Sequence, residues 1–356
     1  MSKRGMLLIG GISITVLLTG CFEGEQSMKE IDPPQNAEAV DNLEDITEAG
    51  ADTLEGETED TAADTVSRQL YLLDSNGMVA SQVLDLPLPA TQEVAAQSLE
   101  YLVKGGPVTD LLPNGFQAVL PEGTEVLGID LQEDGTMIVD LSAEFGEYEA
   151  AEELKILESV THTLTQFDNV DKVKLRVEGQ NLSEMPVNGT PINNGYTKAN
   201  GINIVDTDTL DLIESKPVTM YYPAEHAENS YYVPVTQYVE QKGDNMYASI
   251  VSALLEGPGY NTNIVHVFNP EALLVNEPNL DDGVLELVFN EAILQDENEP
   301  VIADEVMETI VRTLTEQQNV EAVDVKVENV DQLVNENGDA YTEPVTKQDF
   351  VPAEKL

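Results

Sequence analysis

The sequence predicts a mixed α/β fold of two tandem domains, and three observations support this. The stretch TLTQFDNVDKVKLRVEG at Thr163–Gly179 recurs as TLTEQQNVEAVDVKVEN at Thr313–Asn329, 150 positions later, with eight of seventeen residues identical. Each copy joins a helical apolar pattern to an alternating strand pattern. The chain has 356 residues, which is enough for two ordinary domains. The period is far longer than that of a solenoid repeat, so each copy can bury its own core.

The apolar patterns of the first half predict a β-α-β-β-α-β domain over residues 68–200. Gly105-Gly106-Pro107 ends its first helix, because glycine tolerates a left-handed backbone and proline cannot continue a helix. We expect a small sheet with two helices on one face. Its predicted elements are a strand at Arg68–Asp74, a helix at Thr91–Lys104, a hairpin of Thr124–Leu131 and Thr136–Leu141, a helix at Glu149–Phe167 and a strand at Asp171–Glu178.

The second half repeats this order over residues 201–356, and the join lies between about Gln180 and Pro217. Gly257-Pro258 ends its first helix, as Gly106-Pro107 does in the first half. The predicted elements are strands at Val218–Tyr222 and Tyr231–Val235, a helix at Met246–Leu255, a strand at Gly283–Phe289, a helix at Val301–Gln317 and a strand from Val323 to Val327.

The N-terminus predicts a lipoprotein signal peptide over residues 1–20. Lys3 and Arg4 precede the apolar run Met6–Leu18, which is short for a membrane span, and Leu18-Thr19-Gly20-Cys21 follows. Cleavage before Cys21 would leave this residue as a lipid anchor, on its sulfur and its amino group. The alternative is a plain signal peptide followed by a chance cysteine. Because Cys21 is the only cysteine of the chain, no disulfide is expected.

Charge and composition exclude one class of binding partner and predict a disordered segment. The chain has 67 acidic and 16 basic residues, a net charge of -51, which excludes nucleic acid as a partner. Fifteen acidic residues and one lysine fall within residues 22–67. With Cys21 this segment is predicted to be an acidic, disordered tether (residues 21–67), because it has too little apolar sequence to offset the entropy of ordering. A coil of this length reaches roughly 40 Å. It either holds a folded head away from a membrane or is only a solubilising spacer.

No residue pattern indicates catalysis, a cofactor or a metal. The three histidines, His162, His226 and His266, do not share metal-ligand spacing, and without a free cysteine there is neither a thiolate nucleophile nor a Cys/His zinc site. We expect His162 to be a solvated residue on the polar side of its helix. Gly-Pro pairs end helices rather than forming phosphate loops. The sequence therefore predicts a protein that is not an enzyme.

Several motifs, in the same order in both halves, resemble the GerMN domain. They are a helix ending in Gly-Pro, Leu120-Pro121-Glu122-Gly123-Thr124, Val139-Asp140-Leu141-Ser142-Ala143-Glu144-Phe145, and Thr163-Leu164-Thr165-Gln166-Phe167 with its valine-rich strand. The second half departs from the pattern with Asn290-Glu291-Ala292-Ile293 and Asn269-Pro270-Glu271.

The resemblance implies a function in sporulation and germination. It implies a lipid anchor in the mother-cell membrane (the outer forespore membrane), facing the intermembrane space, and assembly with the trans-envelope channel that joins the two cells. GerMN domains are similar in element order to ring-building motifs, which implies a scaffold and allows a homo-oligomer or ring. The alternative is an enzyme or carbohydrate-binding protein acting on cortex peptidoglycan. A convergent cleft of carboxylates and tyrosines would favour this alternative, whereas smooth, wedge-like faces would favour assembly.

Two surfaces are candidates for partner contacts. One is a strand face of cations in an acidic protein, Lys172, Lys174 and Arg176; the other is the irregular stretch Val108–Phe116, with Leu111, Leu112 and Phe116. The alternative for the first is a solvated sheet face whose cations offset nearby carboxylates. The alternative for the second is a loop whose leucines fold back on their own core.

Overall fold

A computed structural model describes residues 65–89, 94–205, 215–241, 243, 245–258, 264–296 and 299–350. Both predicted domains lie within one compact unit. The first half comprises β1 (Thr65–Asp74), β2 (Val79–Pro87), α1 (Val94–Glu100), β3 (Phe116–Gln117), β4 (Val126–Leu131), β5 (Thr136–Leu141), α2 (Glu153–Leu164), β6 (Lys172–Val177) and β7 (Gln180–Asn181).

The second half repeats this order, without a counterpart of β3 among the described residues. It comprises β8 (Ser215–His226), β9 (Asn229–Glu240), α3 (Met246–Glu256), β10 (Asn279–Asp281), β11 (Val284–Phe289), α4 (Asp304–Leu314), β12 (Ala322–Val327) and β13 (Val345–Thr346). The predicted mixed α/β class with two repeated domains is confirmed.

Each half contains two sheets. In the first half, β4-β5-β6-β7 form one sheet, with β5 and β6 parallel, and β2-β1-β3 form another. In the second half, β10-β11-β12-β13 form the corresponding sheet, and β8 pairs with β9. We expected the first strand of each domain within the single small sheet. It pairs instead with β2 or β9 in a long hairpin. The sequence analysis did not predict β2, which alternates buried and exposed residues only from Ser81 onward.

Helix α2 packs along the edge of strand β1 and closes that edge with polar side chains. The Tyr71 amide donates to the Thr163 hydroxyl at 3.0 Å, the Ser159 hydroxyl donates to the Tyr71 carbonyl, and the Gln166 amide donates to the Gln69 carbonyl at 2.5 Å. An open strand edge exposes unpaired backbone groups, so these hydroxyls replace a neighbouring strand. Ser159 and Thr163 are consequently fully buried.

The repeated stretch performs the same structural roles in both halves. The Tyr221 amide donates to Thr313 at 3.0 Å, so the pairs Tyr71–Thr163 and Tyr221–Thr313 are equivalent. Thr165 and Thr315 each donate to the carbonyl four residues earlier. Asn169 and Asn319 have φ values of 67° and 65°, a left-handed conformation that asparagine tolerates better than most residues. The buried leucines and valines of the repeat belong to one continuous hydrophobic core, to which each half contributes three: Leu164, Val170, Val173, Leu314, Val320 and Val323.

Candidate functional site

The polar sides of both long helices face the interface between the two halves. His162 is 3% exposed, and its ring centroid lies 5.3 Å from that of Tyr71. Our expectation of a solvated His162 is therefore wrong, because the side of α2 away from its own sheet is covered. Burial and the nearby Lys198 ammonium lower the pKa of His162 to about 3, so its imidazole is neutral at physiological pH. Its counterpart Arg312 is also buried, 4.6 Å over the ring of Tyr232.

The turns of the two hairpins contribute a second set of contacts to this interface. The Tyr231 hydroxyl donates to the buried Asp74 carboxylate at 3.0 Å, and the Ser75 hydroxyl lies 3.0 Å from His226 Nδ1. The Asn229 amide donates to the Gln82 side chain at 3.4 Å. Each of these pairs joins the first half to the second, so His226 has a structural role in the domain interface.

Asn203 bridges the outer edges of β2 and β9. Its Oδ1 accepts from the Val79 amide at 2.9 Å, and its Nδ2 donates to the carbonyls of Val79 and Pro234 at 2.7 and 2.8 Å. Its own backbone amide donates to Glu158 of α2 at 3.2 Å. Asn203 is 3% exposed with φ of 47°, and its buried side-chain amide is hydrogen-bonded to both strands.

A partly buried ion cluster forms where α4 ends. Lys347 donates to Glu316 Oε1, and Lys198 Nζ lies 3.6 Å from Oε2. Burial alone would raise the pKa of Glu316, but the two ammonium groups lower it to about 2. The cluster ties the segments that carry Lys198 and Lys347 to the end of α4.

A buried carboxylate, Glu153, holds a loop at the start of α2. It accepts hydrogen bonds from the amides of Val187, Asn188 and Thr190 at 3.3, 2.6 and 2.9 Å. The hydroxyls of Thr190 and Tyr148 add two more, at 2.6 and 2.8 Å. Burial alone would raise the pKa of Glu153, but hydrogen bonds from Thr190 and Asn188 lower it to about 2. Its role is structural.

A cleft of about 370 Å³ lies between the halves, and we call it the interdomain cleft. One wall is β2, another is the start of β9 with Pro223, and the third is α4. The residues that line it are Gln69, Ser81, Gln82, Val83, Pro223, Ser230, Tyr231, Tyr232, Glu305, Glu308 and Arg312. Arg312 Nε lies 2.6 Å from Glu308, so this carboxylate is paired within its own helix.

The predicted cationic face lies on the outer side of the β4–β7 sheet. Lys174 is exposed, whereas Lys172 and Arg176 are half-buried, and Arg176 donates to Asn181 at 2.7 Å. Asp140 lies directly across from Arg176, and Asp130 and Lys174 both flank Ile138 on the same face. Three cations therefore share the face with two carboxylates. In the second half, Lys326 pairs with Glu286 and with Asp324, the latter at 3.1 Å.

The second predicted surface does not form one patch. Phe116 is 5% exposed, and its ring packs edge-on against Tyr231 at 4.7 Å, so its assignment to a partner surface is wrong. Leu112 packs against the core, and Leu111 is exposed. This stretch folds back because β3 pairs with β1 and draws Phe116 into the domain interface. Cys21 and the predicted tether lie outside the described residues.

Two further findings concern only the described residues. No group of three or more histidine, aspartate or glutamate side chains there could hold a metal ion. No helix in the same part of the chain is both long and apolar enough to cross a membrane.

Comparison with known proteins identifies the family. The family described as "Germane: Sporulation and spore germination" matches residues 69–183 and 219–332, one match in each half. The chain belongs to this family. It is 43% identical over 365 residues to the spore germination protein GerM of Bacillus subtilis (strain 168), covering 98% of each chain. The solved tandem GerMN domains of the sporulation protein GerM from Bacillus subtilis are similar with a TM-score of 0.73 and 45% identity, covering 80% of this chain and 98% of that chain.

The resemblance to GerMN domains inferred from the motifs is thus confirmed, and both halves of the chain carry the Germane match. The two Germane domains meet at the interface that contains His162, Asn203 and Glu316. None of these three residues belonged to the predicted contact surfaces. Their place in the domain interface is visible only in the folded chain, where they contact residues that are distant in sequence.

Proposed function

We propose that this chain is a non-catalytic, lipid-anchored assembly protein of sporulation and germination. It acts at the mother-cell membrane, facing the space around the forespore, and supports the trans-envelope channel between the two cells. The family and the similarity to GerM support the part in sporulation and germination. The anchor is Cys21, at the end of the short apolar run.

One observation carries the assembly role: the two Germane domains are joined by buried polar groups into one unit that keeps an open sheet face on each domain. Asn203 and Glu316 hold the halves together, while Lys174 and Lys326 lie exposed on the outer faces of the two sheets. A scaffold needs complementary area and a fixed relative orientation, not reactive side chains. Lys172, Lys174 and Arg176 are our candidate contact face on the first domain.

The interdomain cleft is the feature that favours the rival function, because it contains two tyrosines and two glutamates. Glycoside hydrolysis needs two carboxylates that flank the scissile bond from opposite sides. Glu305 and Glu308 lie one turn apart on α4, and the facing wall, Ser81–Val83, has no ionisable side chain. Among the residues that the structure describes, the cleft therefore lacks the opposed acids of a glycosidase, which favours assembly over hydrolysis.

Affinity capture from sporulating cells tests the proposal. The tagged full-length chain should retain membrane proteins of the channel, and its deletion should reduce channel assembly around the engulfed forespore. In parallel, the purified chain should neither bind nor release fragments from cortex peptidoglycan. Muropeptide release that is lost in Glu305→Gln would overturn the assembly role in favour of the rival.

A further inference from the structure

The two hairpins are related position by position, which allows equivalent places to be compared. Tyr71 lies opposite Ser81 in the β1–β2 register, and Tyr221 lies opposite Pro234 in the β8–β9 register. Because Tyr71 and Tyr221 are equivalent, Ser81 corresponds to Pro234, and the remaining positions of β2 have counterparts in β9 by the same step. The repeat aligns helices α2 and α4 in the same way.

One of these equivalent places already holds an extended peptide. The Thr236 amide donates to the Ile202 carbonyl at 2.9 Å, and the Val205 amide donates to the Thr236 carbonyl at 3.3 Å. The Asn203 side chain adds a hydrogen bond to the Pro234 carbonyl at 2.8 Å. This segment thus runs along the outer edge of β9 as an added peptide beside α2, and we call this place the filled site.

Helix α2 holds the central residue of that segment with one cation and one carboxylate. Lys155 Nζ donates to Asn203 Oδ1 at 2.9 Å, and the Asn203 backbone amide donates to the Glu158 carboxylate at 3.2 Å. Lys155 also donates to Glu158 at 3.1 Å, so the two charges neutralise each other. The filled site therefore suits a neutral side chain, and asparagine supplies it.

The equivalent place in the second half is the interdomain cleft, and its charges differ. The alignment of α4 with α2 puts Glu305 at the position of Lys155. Glu308 takes the position of Glu158, but it is paired with Arg312 within its own helix. Replacement of the lysine by Glu305 therefore leaves the cleft with a carboxylate in excess, whereas the filled site is neutral.

The Glu305 carboxylate has no partner among the described residues, neither a cation nor a hydrogen-bond donor. Burial and three nearby carboxylates raise the pKa of Glu305 above its ordinary value. These carboxylates belong to Glu225, Glu336 and Glu308. A bound cation would offset both effects, because it stabilises the ionised form of the carboxylate. The cleft thus favours an occupant that brings a positive charge.

Strand β2 offers the cleft an open edge. The carbonyls of Val79 and Pro87 accept hydrogen bonds from side chains outside the hairpin, so the odd-numbered residues of β2 direct their backbone groups away from β1. The register has no bulge, which places the amide and carbonyl of Val83 on the same outer edge. Within the described part of the chain neither group has a hydrogen-bond partner, whereas those of its equivalent Thr236 bind the added peptide. The Val83 side chain, 48% exposed, adds apolar surface to the cleft.

We propose that the interdomain cleft binds an extended segment of a partner protein that carries a lysine or arginine. The segment adds to the open edge of β2 through the amide and carbonyl of Val83, as residues 202–205 add to β9 through Thr236. Its cation faces Glu305, where the filled site has a lysine. The cleft volume of about 370 Å³ lies within the range of roughly 300–1,000 Å³ that is usual for binding sites. Because the partner is the one that the proposed assembly function requires, this site rests on that function.

Fluorescence polarisation with labelled peptides tests this site on the purified full-length chain in detergent. The probe is Gly-Ile-Lys-Ile-Val with blocked termini, which copies Gly201–Val205 with lysine in place of Asn203. It should bind roughly tenfold more tightly than Gly-Ile-Asn-Ile-Val, because a charge-assisted hydrogen bond to Glu305 replaces a neutral one. Gly-Ile-Glu-Ile-Val should bind more weakly than either. Equal affinity for the three peptides would overturn the proposal. So would no binding of the lysine peptide, since the cleft would then belong to another part of the chain or to a second copy.

Matched variants separate the cleft from the net charge of -51, which attracts any cationic peptide. Glu305→Lys should weaken binding of the lysine peptide by at least about tenfold and should favour the glutamate peptide instead. Glu328→Lys makes the same change of charge at an exposed position of the same half and should alter both affinities by less than about twofold. Equal losses in the two variants would show that only the overall charge attracts the peptide, and would overturn the site.

The strand edge is tested separately. Val83→Pro lacks the outward amide but keeps the β1 ladder, so the lysine peptide should no longer bind, whereas Asp85→Pro, two residues along the edge and outside the cleft, should still bind it. Circular dichroism verifies that both variants fold. In the unaltered chain, the lysine peptide should slow hydrogen exchange of the Val83 amide by roughly tenfold. Unchanged exchange, or retained binding in Val83→Pro, would overturn the addition to β2. These measurements use purified protein, so their failure would remove the cleft as a partner site without affecting the capture experiment that tests the proposed function.

Discussion

Lys198 Nζ lies 3.6 Å from Glu316 Oε2, so a segment that follows the first domain is fastened to the end of helix α4 in the second. The side chain of Glu316 is 17% exposed, and Lys347 binds its other oxygen. A single carboxylate thus neutralises two lysine ammonium groups at the domain interface.

Glu316→Gln should lower the free energy of unfolding by about 1–3 kcal/mol, the range for a lost, partly exposed ion cluster. The neutral amide leaves two ammonium groups near each other without compensation. Urea denaturation of the purified protein measures this value. Glu328→Gln, an exposed carboxylate of the same domain, is the control and should change stability by less than about 0.5 kcal/mol. Equal effects would argue against the cluster.

The pH dependence of stability should reflect Glu153 and Glu316. Both have a pKa of about 2 in the folded protein, below the ordinary value of 4.5. Their contribution is present above pH 4.5 and is lost as the pH falls toward 2, since the unfolded state then binds more protons. Denaturation midpoints measured across this range should fall less steeply in Glu153→Gln than in the unaltered protein. If the two proteins lose stability equally as the pH falls, Glu153 does not have a lowered pKa in the folded state.

Thr163→Val and Thr313→Val should destabilise the protein by similar amounts, about 1–3 kcal/mol each, because each leaves a buried strand amide without an acceptor. Valine retains the shape of threonine, so packing changes little. Thermal unfolding compares the two variants. Thr165→Val removes only a hydroxyl that donates to the preceding helical turn, and it should cost less than either. A large effect in one half alone would show that the halves are not equivalent.

Charge reversal at Lys172, Lys174 and Arg176 should weaken partner recruitment without unfolding the first domain, because the buried Val173 and Leu175 point to the opposite face. Capture from sporulating cells measures recruitment, and circular dichroism checks the fold. The difference should diminish in high salt, since exposed charges are screened over roughly 8–10 Å at physiological ionic strength. Lys326→Glu, on the equivalent face of the second domain, is the matched control. Normal recruitment by the triple variant would show that these three residues form a solvated surface and not a partner contact.

Cys21→Ser should release the protein from the membrane fraction or leave the precursor uncleaved, because no other cysteine can carry the lipid. Fractionation of sporulating cells with immunoblotting distinguishes these outcomes, and metabolic labelling with a fatty acid detects the anchor. Continued labelling of the variant would refute Cys21 as the attachment point. A plain secretory signal would instead give soluble mature protein from the unaltered chain.

The elements near the repeated stretch could be predicted because their patterns are local. Strand β6 and helix α2 have clear apolar periodicity, and the structure places both within a few residues of the expected bounds. Strand β2 was missed because the start of its sequence, Val79-Ala80, is buried on both faces and does not alternate. Glu153 could not be recognised among 67 acidic residues, since only the fold brings the Thr190 and Asn188 amides to it.

The sequence by itself determined the duplication, the α/β class and the family, because these depend on the order and periodicity of residues along the chain. The tertiary structure decided which polar groups matter. His162 and Arg312 occupy polar positions on amphipathic helices and would be solvated on an isolated domain. They are buried because each lies where the two halves of the chain meet, and Asn203 becomes a bridge only when β2 and β9 lie side by side. Burial and hydrogen bonding between residues more than a hundred positions apart depend on distance in space, which local patterns do not encode.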